Sequence, residues 1–117
     1  MTYFSDYDNI CVGNLFVGVD VSLEYYSESV ERLIYVLLQL KTKEEAYRFL
    51  SDICTAKELK DMTQRLDISV LLEQDLNYRE ISEAVGISPA TISRVSRSYY
   101  YGNGGLALAV ERLKNKK

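Results

Sequence analysis

YREISEAVGISPATISRV, residues 78–95, is the stretch that decides the fold of this chain. Ile81 and Val85 lie four apart, so they share one face of a short helix. Gly86 stands where the chain must reverse sharply, a backbone position that glycine adopts at least cost. Ile87 plugs the turn, Ser88 offers a side-chain oxygen as N-cap, and Pro89 brings the pre-set φ favoured at the first helical position. In the helix that follows, Ile92 and Val95 are three apart and turn back toward the first helix. The pattern predicts a helix-turn-helix over residues 78–98. Its second helix leaves Pro89, Ala90, Thr91, Ser93, Arg94 and Arg97 pointing outward. That face is small at its N-terminal end, carries donors and lacks acids, as suits a helix entering a DNA major groove.

Outward from this motif the chain reads as helical in both directions. Ser22 is expected to cap a helix reaching about residue 40, with Leu23, Tyr26, Val30, Leu33, Leu37 and Leu40 at three- and four-residue steps. Thr42 with Glu45, and Thr55 with Glu58, have the spacing of capping boxes that open a second and a third helix. The third carries Leu59, Met62, Leu66 and Val70 and is expected to reach Glu73, with Asp75 and Asn77 marking a short connection. Tyr99, Tyr100 and Tyr101 are placed between two docking helices, as core or interface residues, and Gly102-Asn103-Gly104-Gly105 breaks the chain. A last helix holds Leu106, Ala109, Val110 and Leu113, and Lys114, Lys116 and Lys117 read as its solvated end. The fold class is therefore all-α, about six helices, in one domain over residues 22–117. Residues 1–21 show neither helical period nor alternation and read as an arm or extension.

Composition narrows the function. At 117 residues and 47% hydrophobic the chain fits one globular domain. No run of about 18 apolar residues marks a membrane span, and no basic-then-apolar leader marks a signal peptide. Cys11 and Cys54 are too few and too distant for a zinc site or disulfide framework, which fits a reducing cytoplasm. Histidine is absent, removing the commonest general base and metal ligand. No nucleophile–base pair or phosphate loop appears, so an enzyme is not expected and no catalytic or metal residue is assigned. The net charge is −3, an objection to nucleic acid that its distribution softens. Residues 55–117 carry ten Lys/Arg against eight Asp/Glu, and no acid occurs between Glu83 and Glu111. Apolar residues also crowd the first helix (Tyr25, Tyr26, Ile34, Tyr35, Val36, Leu37, Leu38), more than a chain of this size needs for itself. That surplus points to a homodimer joined through its N- and C-terminal helices, which would set two reading helices roughly 34 Å apart, one DNA turn.

Three stretches, CTAKELKDMTQRL (54–66), ISPATISRVSR (87–97) and YYGNGG (100–105), resemble the tryptophan repressor superfamily, and within it the YerC/YecD (TrpR-related) branch. The resemblance covers about residues 40–114. It implies an intertwined homodimer that binds operator DNA to control transcription, as a repressor. In the tryptophan repressor a corepressor is clamped between two arginines beneath a backbone stretch opened by a threonine; the matching positions here are Thr55, Arg65, Thr91 and Arg94. Where the repressor has Gly after the second arginine, this chain has Val95. An isopropyl group there is expected to occupy space an indole would use, at a cost of about 1–3 kcal/mol. Tryptophan is therefore not the expected corepressor, and no cofactor is assigned. Arg65 is then either an ion-pair partner of Asp61 or of an acid elsewhere, or a ligand clamp, and Arg94 suits phosphate or guanine. Ser88, with neighbouring backbone N–H groups, suits a phosphate. Ala90 and Thr91 would approach base edges, Ser93 backbone or water, and Arg97 a phosphate. Tyr78 and Arg79, opening the first helix of the motif, are candidate phosphate contacts, though Tyr78 could instead pack. Two rivals stay open: a protein-interaction module resembling the promoter-reading part of a sigma factor, and a sensor binding a non-indole acid between Arg65 and Arg94.

Overall fold

The computed structural model describes residues 27–116. Over them the chain forms six helices: α1 Glu28–Gln39, α2 Lys43–Ile53, α3 Ala56–Glu73, α4 Tyr78–Val85, α5 Pro89–Tyr101 and α6 Gly105–Lys114. No strand occurs among the described residues, and none of these helices is long and apolar enough to cross a membrane. The chain divides into two compact units, Met1–Ile53 and Cys54–Lys117. The arm expected over residues 1–21, its boundary, and Leu23, Tyr25, Tyr26 and Lys117 lie outside the described residues.

In the first unit, α1 is capped by Ser27, whose Oγ accepts from the Val30 N–H at 3.1 Å. The cap expected at Ser22 lies outside the described residues; Ser27 puts Glu28 and Glu31 into the first turn of α1, against the positive end of the helix dipole. Thr42 Oγ1 accepts from the Glu45 N–H at 3.1 Å, and the Glu45 carboxylate reaches back to the Lys41 N–H at 3.0 Å. The pair works as read, with the return bond falling one residue earlier than in a standard capping box.

The second unit holds α3 to α6. Thr55 and Glu58 form the expected reciprocal box: Thr55 N–H donates to Glu58 Oε1 at 2.9 Å, and Glu58 N–H to Thr55 Oγ1 at 3.1 Å. The Thr55 N–H, followed by the Thr55 side chain, holds the Glu58 carboxyl below the usual carboxylate range, because hydrogen bonds to the carboxylate favour its ionised form. Ile68 and Leu72 on α3, Ile81 on α4, and Ile92 and Val95 on α5 are buried together, with Val85, Ile87, Tyr99 and Leu106 packed around them. All four apolar positions by which the helix-turn-helix was read therefore point where the spacing says.

Two expectations at the end of the unit change. The tyrosines lie inside α5, not between helices; Tyr99 packs on the core, whereas Tyr101 is 86% exposed. Only at Gly102 does α5 stop, in a backbone conformation where a Cβ would stand 2.3 Å from the Ser98 carbonyl oxygen, so the position requires glycine. Lys114 is not simply solvated: its Nζ donates to Glu73 Oε1 at 2.8 Å, tying the last turn of α6 to the last turn of α3. The bond lifts the Lys114 ammonium above its ordinary value, and burial beside the same carboxylate raises the Tyr99 phenol.

Candidate nucleic-acid interface

The turn between α4 and α5 is held from three sides. Asn77 and Glu80 form a further capping box at the start of α4, the Asn77 N–H donating to Glu80 Oε1 at 3.1 Å and the Glu80 N–H to Asn77 Oδ1 at 2.8 Å. Gly86 takes φ 69°, the left-handed conformation required of it, and its N–H donates to the Ser82 carbonyl at 2.9 Å. Ser82 Oγ then crosses the turn and donates to the Ile87 carbonyl at 2.7 Å. Ser88 caps α5, its Oγ 3.4 Å from the Thr91 N–H and 3.2 Å from Thr91 Oγ1. Neither the Asn77–Glu80 box nor the Ser82 bracket was anticipated. The first has the same three-residue spacing as the two boxes that were read, so the signal was there.

With α4 fixed, α5 presents Ser88, Pro89, Ala90, Ser93, Arg94 and Arg97 as exposed residues, while Thr91 is half-buried. No acid lies in its first turn. Among the described residues, the guanidiniums of Arg94 and Arg97 have no ion-pair or hydrogen-bond partner. Arg79, by contrast, pairs with Glu83 at 3.3 Å on the exposed side of α4. Tyr78 turns its hydroxyl inward to Ser96 Oγ at 2.7 Å.

Next to this face opens a cleft of about 800 Å³, with α3 contributing Lys57, Asp61, Gln64, Arg65 and Ile68. Thr91, Arg94 and Val95 of α5 line it too. Four of the five residues expected at a ligand pocket are thus brought together. Thr55 is not among the lining residues, and its hydroxyl and N–H are engaged in capping α3. Asp61 pairs with Lys57 at 3.2 Å, so the Arg65–Asp61 ion pair considered from the sequence does not form. Lys57 and Arg65 stand four residues to either side of Asp61, equally placed by spacing. The α3 lining recurs at helical intervals and could have been found by extending one face of that helix from Arg65. Val95 is both core and cleft wall.

A family model described as Trp repressor protein matches residues 28–114. The chain belongs to the Trp repressor family. YerC of Bacillus subtilis (strain 168), an uncharacterized protein, is 39% identical over 87 residues, 74% of this chain and 84% of the relative. Two solved structures are also similar. A TrpR like protein from Eubacterium eligens ATCC 27750 has 38% identity and a TM-score of 0.74, over 82% of this chain and 99% of the other. A putative Trp repressor from Staphylococcus aureus has 32% identity and a TM-score of 0.72, over 80% and 94%. Within the Trp repressor family the likeness to YerC puts the chain in the YerC/YecD branch. Membership makes it a helix-turn-helix, DNA-binding regulator.

Proposed function

We propose that this Trp repressor family member is a homodimeric repressor that reads a two-fold symmetric duplex site through α5, without tryptophan as corepressor and with no enzymatic step. The observation that carries the reading is the outward face of α5: exposed small residues at its N-terminus, two unpartnered arginines, and no acid in its first turn. Ala90 and Thr91 approach base edges, where a methyl contact to thymine suits both. Arg94 and Arg97 take phosphate or guanine, Ser93 backbone or water, and the N–H groups beside Ser88 and Pro89 a phosphate. Arg79 reaches a phosphate by exchanging Glu83 for it.

Two copies are needed because one α5 covers one half-site. Exposed apolar residues on α1 supply the means: Val30, Leu33, Ile34, Tyr35, Val36, Leu37 and Leu38 are all solvent-facing in a single chain. The argument against tryptophan is Val95, a branched side chain in the cleft wall that also belongs to the buried core with Ile68 and Ile92. A second reading rests on the cleft itself. It is about 800 Å³, and the Arg65 and Arg94 guanidiniums lack partners among the described residues, as a site for a non-indole acid would require.

Selection of genomic duplex fragments by the purified protein, with and without tryptophan, tests both. Enrichment of a symmetric site regardless of tryptophan is the expected result. Enrichment only with tryptophan overturns the role given to Val95. No enrichment at low salt overturns duplex reading in favour of a protein-interaction module.

A further inference from the structure

Two serines are buried in the second unit, and they use their hydroxyls differently. Ser69 on α3 donates to the carbonyl of Arg65 one turn earlier at 2.8 Å, the local bond open to any helical serine. Ser96 on α5, 4% exposed, instead meets the Tyr78 hydroxyl at 2.7 Å, eighteen residues away on another helix. Tyr78 is the first residue of α4, and the Asn77–Glu80 box anchors its backbone on both sides. Its ring is a rigid spacer with two rotatable bonds, so a bond at its tip fixes the distance between the start of α4 and the middle of α5. Ser96 follows Val95 in the core and lies one residue before Arg97 on the outward face.

We infer that Tyr78 and Ser96 form a strut that sets the angle of α5 against α4, making Tyr78 a positioning residue for DNA reading, not a phosphate ligand. The inference rests on the duplex-reading function proposed above. A hydroxyl engaged on buried Ser96 is not offered to a phosphate, although Tyr78 as a residue is 41% exposed. Loss of either hydroxyl leaves the other partner free to settle elsewhere, Ser96 on a local carbonyl as Ser69 does. The helix would remain and its angle would relax.

The test compares Tyr78→Phe, Ser96→Ala and the double variant with the full-length wild-type chain. Residual dipolar couplings of the free protein report the α4/α5 angle without DNA. Both single variants are expected to turn α5 by the same sense relative to α4, leaving α3 against α6 unchanged. Affinity is then measured for the duplex enriched in the genomic selection and for a random-sequence duplex of equal length. Each single variant should lose about 3- to 10-fold on the enriched duplex, with the double variant no worse and the random duplex unaffected. Unchanged couplings in both variants overturn the strut. So does wild-type affinity in Ser96→Ala beside a loss in Tyr78→Phe, which would place the Tyr78 hydroxyl on DNA. If the wild-type chain binds no duplex, the functional reading fails while the couplings still decide the strut.

Discussion

The two units of this chain treat their apolar residues in opposite ways. From α3 to α6, Ile68, Leu72, Ile81, Ile92, Val95 and Val110 are buried, and the exposed faces are polar where α5 would meet a ligand. In α1, seven apolar residues are exposed, and the one buried residue is a carboxylate, Glu31. A helix with Leu38 at 75% exposure gains little from its own chain for carrying leucine there. The difference teaches that the reading unit closes its own core, whereas the apolar payload of α1 is left uncovered among the described residues. Stability of the second unit should accordingly be intrinsic, and that of α1 should depend on concentration.

The largest expected effect breaks the core side of the comparison. Ile81→Ala or Ile92→Ala removes a side chain with no exposure and should cost about 2–5 kcal/mol in urea unfolding. The same truncation at Leu38 should leave the unfolding of a dilute, monomeric sample unchanged. Next in size, Leu38→Glu places a carboxylate on the proposed subunit surface. It should weaken self-association about a hundredfold in sedimentation equilibrium, with far-UV helicity retained. An unchanged association constant would remove α1 from the interface. Smaller again, Gly102→Ala forces a Cβ against the Ser98 carbonyl and should cost about 1–2 kcal/mol. Gly105→Ala, where nothing stands within 4 Å of the added carbon, should be neutral or stabilising.

The smallest effect is alkaline. Glu73 keeps the Lys114 ammonium protonated to higher pH than in the unfolded chain. Its contribution is therefore complete below the unfolded lysine value, about 10.4, and lost as pH climbs through the folded one. Burial of the Tyr99 phenol adds to the same fall, since the ion it would become is favoured by unfolding. Lys114→Gln should flatten the decline of the thermal midpoint above about pH 10. A slope equal to wild type would leave Tyr99 as its source.

What could be read from the sequence was what neighbours along the chain determine. Gly86, Ser88 and Pro89 each force a local conformation, so the motif's turn and second cap were legible before any contact was known. Apolar spacing did the same for Ile81, Val85, Ile92 and Val95. An error arose where two local candidates were equivalent: Lys57 and Arg65 stand at the same spacing from Asp61. Another arose at Tyr99 to Tyr101, because tyrosine neither extends nor stops a helix strongly and the helix runs on to the glycine-requiring position 102. Of the site, the α5 face and most of the cleft were visible. The Lys114–Glu73 and Tyr78–Ser96 bonds, separated by 41 and 18 residues, leave no periodic trace.

The Ser82–Ile87 bracket across the turn also bears on how docking would be driven. A reading helix already pinned at its entrance does not have to be ordered by the groove it enters. Association would then be limited by encounter and by desolvation of the arginines, not by a folding step. The heat-capacity change on binding would track the apolar area covered, without the excess that marks coupled folding. In that regime, discrimination between sequences comes from what the groove must do to fit a fixed helix, so DNA deformability becomes part of the code.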